Sequence, residues 1–234
     1  MSGKIYMIPN TLGNSEINRV LPEYNRDVIN SVRFYIVENI KTARRFLIKA
    51  GIQTAIDDLH FFVLNKHSDP KDFNNFLQPA LEGENMGIIS EAGVPGVADP
   101  GAEIAKIAHQ KRIEVIPLIG PSSILLALMA SGMNGQQFNF HGYLPIKSQE
   151  RIKKIKDLEN MSARSGYCHI FIEAPYRNNK LMEDILRTCN QETMLCIAVD
   201  LTLENEFVQT RTIKEWKGHL PNLHKRPAIF LIQV

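Results

Sequence analysis

The sequence lacks the segments that are typical of membrane-spanning, secreted and disulfide-stabilised proteins. None of its apolar runs reaches about 18 residues, so we expect no transmembrane helix and no membrane partner. The first ten residues, MSGKIYMIPN, contain neither a long apolar core nor a small-residue cleavage signal, which argues against secretion. Cysteine is rare, and Cys168, Cys189 and Cys196 have no CxxC spacing. This odd and sparse set predicts buried thiols in a protein of the reducing cytoplasm.

The familiar motifs of nucleotide, metal and hydrolase sites are also missing. No GxxxxGK[ST] segment occurs, which disfavours a P-loop nucleotidase, and no GxGxxG opens a helix after a strand. The seven histidines are dispersed, without an HExxH pair or cysteines at zinc spacing, so no metal is expected. A GxSxG nucleophile elbow is absent as well.

Charge of one sign is not in large excess. The chain has 27 Lys and Arg against 25 Asp and Glu, a formal net charge of +2, which does not by itself indicate a nucleic-acid partner. One basic cluster, KSQERIKKIK at residues 147–156, fits a solvated helix face better than a phosphate-contacting surface, although both interpretations stay open. Ile146, Ile152 and Ile155 give this segment an apolar side on which to pack.

Short apolar runs alternate with helical patterns along the whole chain. Strands are predicted at residues 4–9, 33–38, 86–90, 113–119, 138–143, 168–173, 194–201 and 228–234. Helices are predicted at residues 42–51 with Gly51 at the end, from Asp99 as N-cap to about Lys111, from 121–122 to Gly132, and over 178–189.

This alternation predicts an α/β protein built from βαβ units with mostly parallel sheet. The pattern changes character near residues 118–123, so we expect an N-terminal domain over 1–118 and a C-terminal domain over 119–234. Ligands of such sheets bind beyond the carboxyl ends of the strands. The loops of interest are therefore residues 9–15, 38–42, 90–98, 120–123 and 174–178.

The glycine-rich loop SEAGVPGVADPG, residues 90–101, contains few reactive side chains. Gly93 and Gly96 permit close approach of backbone to a ligand, and Pro95 holds one backbone angle fixed. The turn GPSS at 120–123 adds hydroxyls and free amides at a helix start. We expect both to lie at one sheet edge and to bind a small polar ligand; simple tight turns are the alternative interpretation.

Six segments in order resemble the tetrapyrrole methylase superfamily, and most closely its branch that methylates a ribose 2′-hydroxyl of small-subunit ribosomal RNA. SEAGVPGVADPG resembles that family's SDAGTPxxSDPG signature, and FNFHGYLPIKSQER resembles FxGFLPxK. YMIPNTLGN, IPLIGPSS, FIEAPYRN and VDLTLENE are similar to four further family segments. The resemblance implies two α/β domains with mostly parallel or mixed sheets, a ligand cleft between them, a homodimer and S-adenosylmethionine as cofactor.

The same resemblance assigns residues to roles. The implied cofactor contacts are Pro9, Gly93, Val94, Pro95, Val97, Ala98, Ser122, Ser123, Ile172, Glu173, Ala198 and Pro227. The implied substrate contacts are Asn14, Arg44, Tyr143, Lys147 and Arg177, and phosphate contacts are expected also from Arg45, Arg151 and Lys154. The C-terminal domain would complete the cofactor cleft, and ribosomal RNA or the 30S subunit would be the partner.

The chain departs from the family at positions expected near the substrate. The family's EDTR reads Glu38-Asn39-Ile40-Lys41, its SD reads Ser90-Glu91, and its REL reads Val199-Asp200-Leu201. Attack by a ribose hydroxyl needs a base, for which Glu38, Lys41 and Glu91 are the catalytic candidates, with Glu173 as a fourth. A helix cap or an exposed charge is the alternative role for each.

These departures leave three hypotheses open. The first is a methyltransferase that acts on ribosomal RNA or a related acceptor. The second is a tetrapyrrole methyltransferase, which would require an open apolar trough. The third is a diverged module that binds S-adenosylmethionine without catalysis.

Overall fold

The computed structural model describes residues 2–65, 68 and 70–234, which form two compact units, Met1–Ser122 and Ser123–Val234. The helices and strands of the first unit are β1 (Lys4–Ile8), α1 (Ile17–Val20), α2 (Glu23–Ser31), β2 (Phe34–Val37), α3 (Ile40–Ala50), β3 (His60–Val63), α4 (Phe73–Phe76), α5 (Gln78–Leu81), β4 (Met86–Ile89), α6 (Gly101–Gln110) and β5 (Glu114–Pro117). Short 3₁₀ turns occupy Ile56–Asp58 and Pro70–Asp72.

The strands of the first unit form a parallel sheet in the order β3-β2-β4-β1-β5. Its central strand β4, MGII, is buried along its whole length, as expected for a strand covered on both faces. On one face, α2 and α3 pack through Val28, Ile29 and Phe46. On the other face, α6 packs through Ile104 and Ala108. The prediction of a parallel α/β sheet is confirmed for this unit.

The second unit has the elements α7 (Ser123–Ser131), β6 (Phe138–Tyr143), α8 (Ser148–Ser165), β7 (Cys168–Ile172), α9 (Asn178–Thr188), β8 (Met194–Val199), β9 (Phe207–Thr212), α10 (Ile213–Trp216) and β10 (Ala228–Gln233), with a 3₁₀ turn at Pro175–Arg177. Its sheet has the order β6-β7-β10-β8-β9. The largest buried side chains include Phe171 and Phe230, whose rings stack at 6.0 Å, and Trp216, whose indole N–H donates to the carbonyl of Leu195.

The second sheet is mixed, which agrees with the mostly parallel or mixed sheets that the family resemblance implies; only the expectation of mostly parallel pairing, drawn from the alternation of elements, does not hold there. Only β6 and β7 pair in parallel; β10 is antiparallel to both β7 and β8, and β9 is antiparallel to β8. Because β7 and β8 both oppose β10, they run parallel to one another and α9 connects them as a crossover. The C-terminal strand lies between them, a placement that no local pattern in the sequence indicates.

The start of α6 also differs from the prediction. The helix begins at Gly101 with Pro100 in the N-cap position, whereas Asp99 was expected to be the cap. The Asp99 carboxylate instead turns back into the loop, where Oδ1 accepts from the amides of Gly96 and Gly101 at 2.8 and 2.7 Å. Its hydrogen bonds therefore stabilise both the loop and the helix start.

All three cysteines of the chain are buried and unpaired, as predicted. Within the described ranges, no helix is both long enough and apolar enough to cross a membrane.

Candidate functional site

The loops after β2, β4, β1 and β5 lie at one edge of the first sheet, because these neighbouring strands are parallel. Strand β1 lies between β4 and β5 in the sheet, so the loop after β1 lies between the loops that follow β4 and β5. The amide of Asn10 donates to the carbonyl of Gly93 at 2.9 Å, and its side chain donates to the carbonyls of Ser90 and Glu91. Asn10 thus fixes the glycine-rich loop against β1.

Close backbone approach explains the glycines at this edge. Gly93 and Gly96 have positive φ angles of 70° and 81°, a conformation that favours glycine. A Cβ at Gly93 would lie 3.1 Å from the carbonyl oxygen of Pro121, so the loop after β4 passes over the end of β1 to reach the turn after β5. A Cβ at Gly120 would collide with the Pro9 ring. The expectation that both loops share one sheet edge is confirmed.

The cofactor candidates of the first unit differ in accessibility. Pro9, Gly93 and Pro95 are buried in the loop framework, whereas Val94 and Ser122 are half-buried. Val97 is 47% exposed, and Ala98 is exposed with a φ of 61°, which is unusual for a residue other than glycine. The accessible surface of the loop therefore consists largely of backbone and small side chains.

Three carboxylates surround this loop. The Glu91 amide donates to Glu38 Oε1 at 3.5 Å, and the Glu91 carboxylate accepts from the hydroxyl of Thr42 at 2.5 Å. Burial raises the pKa of Glu38, with smaller contributions from the charges of Asp99 and Glu91. Burial also raises the pKa of Asp99, against the effect of its two amide hydrogen bonds. A small pocket at this edge is lined by Glu38, Ser90 and Asp99.

The remaining first-unit candidates lie on or beside α3. Lys41 is exposed in the first turn, and Arg44 places its guanidinium 5.6 Å from the centroid of the Phe61 ring. Asn14 is exposed, and its side-chain oxygen accepts from Lys49 at 3.0 Å. Lys41, Arg44 and Asn14 therefore lie at successive points along α3. Lys41 is in its first turn, next to the carboxylates, and Asn14 contacts Lys49 in its last turn.

In the second unit, a separate set of candidates lies where β7 and β8 end and β10 begins. Glu173 follows β7 with its side chain fully buried, and Oε1 accepts from the Arg177 guanidinium and from the amide of Ala174. Arg177 also donates to the hydroxyl of Tyr176 and lies over its ring. Hydrogen bonding to Glu173 raises the pKa of Arg177. The Glu173–Arg177 ion pair therefore fixes the start of α9.

Tyr143, at the end of β6, pairs with Ile172 of β7 and is exposed. Ala198 is fully buried in β8, whereas Pro227 is exposed just before β10. Ser123, the first residue of α7, is half-buried.

Two features of this edge were missed from sequence. Arg226 donates to Asp200 Oδ2 at 2.7 Å and to the carbonyl of Asn205 at 2.9 Å. Asp200 has a positive φ of 49° and donates its amide to the carbonyl of Pro227. Asp200 is one of the departures from the family segment, and its charge, opposite to that of Arg226, was the signal that the two could pair.

Several buried polar atoms among the candidate residues of the two units have no hydrogen-bond partner in the described part of the chain. They include Glu173 Oε2 and Asn178 Oδ1 in the second unit and Asp99 Oδ2 in the first. Because leaving a buried acceptor unpaired costs about 1–3 kcal/mol, such atoms indicate places where a ligand donor would fit.

Three of the five cations in the basic segment of α8, Lys147, Arg151 and Lys156, form ion pairs within the unit. Arg151 is 4% exposed; it forms a buried ion pair with Asp184 at 2.6 Å and donates to the carbonyl of Ile146. The prediction that Arg151 contacts phosphate is therefore wrong. Lys147 is exposed and pairs with Glu150. Ile155 is buried as expected, but Ile146 is 69% exposed because it precedes the helix rather than facing its core.

Two histidines of the second unit form a pair. His141 Nε2 and His169 Nδ1 are 2.9 Å apart, and burial lowers the pKa of His141 to about 4. Among the described residues, no group of three or more His, Cys, Asp or Glu side chains is arranged to hold a metal ion.

No family model matches the chain. It is 28% identical over 233 residues to the ribosomal RNA small subunit methyltransferase I of Vibrio cholerae, a match that covers 97% of this chain and 76% of the relative. It is 26% identical to the protein of the same name from Pasteurella multocida, with 100% and 80% covered.

Two solved structures resemble the chain in fold. The methyltransferase CobJ matches with a TM-score of 0.65 at 15% identity, over 99% of this chain and 94% of that one. The uroporphyrin-III-C-methyltransferase of Thermus thermophilus matches with a TM-score of 0.56 at 18% identity, over 100% and 93%. The predicted fold class of two α/β units is confirmed.

Proposed function

We propose that this chain, a member of the tetrapyrrole methylase superfamily, is an S-adenosylmethionine-dependent methyltransferase that acts on a ribose 2′-hydroxyl of small-subunit ribosomal RNA. The observation that carries the proposal is the likeness to relatives named as ribosomal RNA small subunit methyltransferases, which extends over 97% of the chain for the Vibrio cholerae protein. The ribose 2′-hydroxyl as the acceptor comes from the resemblance of the sequence motifs. The two solved structures support the fold alone, so they favour no particular acceptor.

The residues of the first unit fit S-adenosylmethionine. When bound, this cofactor supplies an electrophilic methyl group on a sulfonium. The loop from Gly93 to Ala98 offers backbone groups with few bulky side chains, so a ligand can approach the main chain closely. Asp99 Oδ2 is a buried acceptor without a partner in the described residues, and it suits a hydroxyl or amino donor.

Residues of the second unit fit the same kind of ligand. Glu173 Oε2 and Asn178 Oδ1 are acceptors on side chains that are 4% and 0% exposed. Each would be satisfied by an amino or hydroxyl donor, such as those of an adenosyl group. The homodimer that the resemblance implies remains a prediction, which sedimentation would measure.

Glu38 is the proposed base for the ribose hydroxyl. Its carboxylate is half-buried at the end of β2, and burial raises its pKa, so it binds a proton more readily than an ordinary carboxylate. Glu91 is exposed and accepts from Thr42, and Glu173 is paired with Arg177. Their carboxylates are therefore occupied with positioning the loop and the start of α9.

Calorimetric titration with S-adenosylmethionine, followed by a panel of acceptors, tests the proposal. Binding together with labelled methyl transfer to small ribosomal subunits supports it. Binding with transfer only to a tetrapyrrole precursor would assign the chain to the second hypothesis. Binding without transfer to any acceptor would favour a module without catalysis, and absence of binding would contradict both enzyme hypotheses.

A further inference from the structure

The outward face of α3 carries four basic residues on an 11-residue helix without an acidic residue. Ala43, Phe46, Leu47 and Ala50 are buried against the sheet. At 3.6 residues per turn, the opposite face presents Lys41, Arg44, Arg45, Ile48 and Lys49. We define these five residues as the α3 basic face.

The basic charge near the start of α3 is unfavourable for the helix itself. A helix N-terminus carries partial positive charge, so cations in the first turn raise the free energy of the folded state. The first turn has no acidic residue, and Asn39 caps the amides of Lys41 and Thr42 with a neutral oxygen. Lys41, Arg44 and Arg45 form no ion pair with any of the described residues. Their charge is thus available to an external anion.

The basic segment of α8 provides a contrast within the same chain. Lys147 pairs with Glu150, Arg151 with Asp184, and Lys156 with Glu159. These three of the five cations in the α8 segment are compensated within the unit, whereas Lys153 and Lys154 form no ion pair with a described residue. The two basic segments therefore differ in degree: most cations of the α8 segment are paired, and none of the four on α3 forms an ion pair with a described residue.

The α3 basic face begins at the carboxylates of the proposed site. Glu38 and the cap Asn39 immediately precede α3, and Thr42 in its first turn donates to Glu91. The helix then runs about 16 Å away from that edge, at about 1.5 Å per residue. Near its end, Lys49 is held by Asn14 and the carbonyl of Ser15 at 3.0 and 2.6 Å.

We infer that the α3 basic face is the surface that binds the phosphates of the RNA substrate next to the reacting ribose. The substrate class rests on the proposed function, whereas the location rests on the unpaired cations and their continuity with Glu38 and Glu91. A polyanion that places one ribose at Glu38 would extend along this face. Phosphate contacts release counterions, so affinity should fall steeply with salt.

The test is RNA binding as a function of salt, with purified small ribosomal subunits and protein-free small-subunit ribosomal RNA as probes. The variants are Arg45→Gln, Lys41→Gln/Arg45→Gln and the charge-preserving Arg45→Lys. The matched control is Lys106→Gln/Lys111→Gln, with one substitution in α6 and one at the residue that follows it; α6 packs on the opposite face of the same sheet. Unchanged thermal midpoints verify that all variants fold, since Lys41 and Arg45 are exposed.

For the double variant, we expect weaker binding and a weaker dependence on salt. The negative slope of log affinity against log salt should become shallower by about 1.4–1.8, at about 0.7–0.9 for each of the two lost phosphate contacts. Arg45→Lys and the α6 control should retain the parent slope. A parent slope in the double variant, or an equal loss in the α6 control, would overturn the inference. A flat salt response of the parent protein would also overturn it.

The outcomes separate this inference from the proposed function. If no acceptor is methylated but the α3 variants alone lower the salt slope, the inference stands and the proposed reaction fails. If RNA is methylated while the α3 variants bind with the parent slope, the reaction stands and the inference fails. Preferred capture of an acidic protein, with RNA binding unaffected by the variants, would also contradict the inference.

Discussion

The hydroxyl of Thr42 donates to the carboxylate of Glu91 at 2.5 Å, and this contact joins the first turn of α3 to the glycine-rich loop after β4. Glu91 stands where the family signature has aspartate, and the extra methylene provides the reach to Thr42. The departure from the family pattern therefore has a structural role of its own, which a double-mutant cycle can measure.

Thr42→Val and Glu91→Asp should each remove this hydrogen bond while keeping the size or the charge of the side chain. We expect a moderate loss of methyl-transfer activity in each single variant. Because both remove one shared contact, the double variant should lose little more, with a coupling energy of about 0.5–1.5 kcal/mol. Additive losses in activity and in free energy of unfolding would contradict the contact.

Gly120→Ala should destabilise the first unit by about 1–3 kcal/mol, because its new Cβ would collide with the buried Pro9 ring. Gly135→Ala is the matched control, since a Cβ there meets no atom within 4 Å. Chemical denaturation of both variants checks the prediction. Equal free energies of unfolding for the two variants would show that the tight approach of Gly120 to Pro9 is wrong.

Glu38→Gln should lower methyl transfer by about 10²–10⁴-fold if Glu38 is the base. Activity of the parent should fall as pH decreases through the raised pKa of Glu38, because only the ionised carboxylate accepts a proton. The parent pH–rate profile and the residual rate of the variant measure both effects. A variant that retains full activity with the parent profile would exclude this role.

The same substitution should increase the free energy of unfolding at neutral pH. Burial raises the pKa of Glu38 in the folded state, so its contribution to stability is present at low pH and lost as pH rises through that pKa. Glutamine removes the charge, and its advantage over glutamate should shrink on acidification. Denaturation at several pH values checks this sign; a variant less stable than the parent at neutral pH would contradict it.

Arg151→Ala should destabilise the second unit by about 3 kcal/mol, because it removes the buried cation from Asp184 and leaves that carboxylate with the exposed and more distant Arg187. Lys153→Gln, a neighbouring exposed position on α8, should be nearly neutral. Denaturant titration measures the difference. A stable Arg151→Ala variant whose RNA-binding salt slope is reduced would return Arg151 to the phosphate-contacting role.

Local patterns predicted those parts of the fold that depend on local burial. The predicted ends of β1, β2, β4 and β5 lie within two residues of the observed ends, because each of these strands is a short apolar segment. Strands β3 and β9 were missed; FVQTRT in β9 is half-buried throughout, and its last four residues are all polar, so it contains no apolar run. The insertion of β10 between β7 and β8 depends on long-range pairing.

The loops of the candidate site were predicted better than the partners of its charges. Glycine and proline specify turns locally, so residues 90–98 and 120–123 were found from sequence. Whether a cation is free or paired depends on a distant partner, such as Asp184 for Arg151. The two basic segments therefore could not be distinguished until α3 and α8 were seen with their neighbours.

The most direct measurement is transfer of a labelled methyl group from S-adenosylmethionine to small ribosomal subunits, followed by digestion of the RNA and chromatography of its nucleosides. We predict label in a 2′-O-methylated nucleoside with the parent protein and much less with Glu38→Gln. Absence of label from the RNA, or label on a base rather than a ribose, would contradict the proposed reaction.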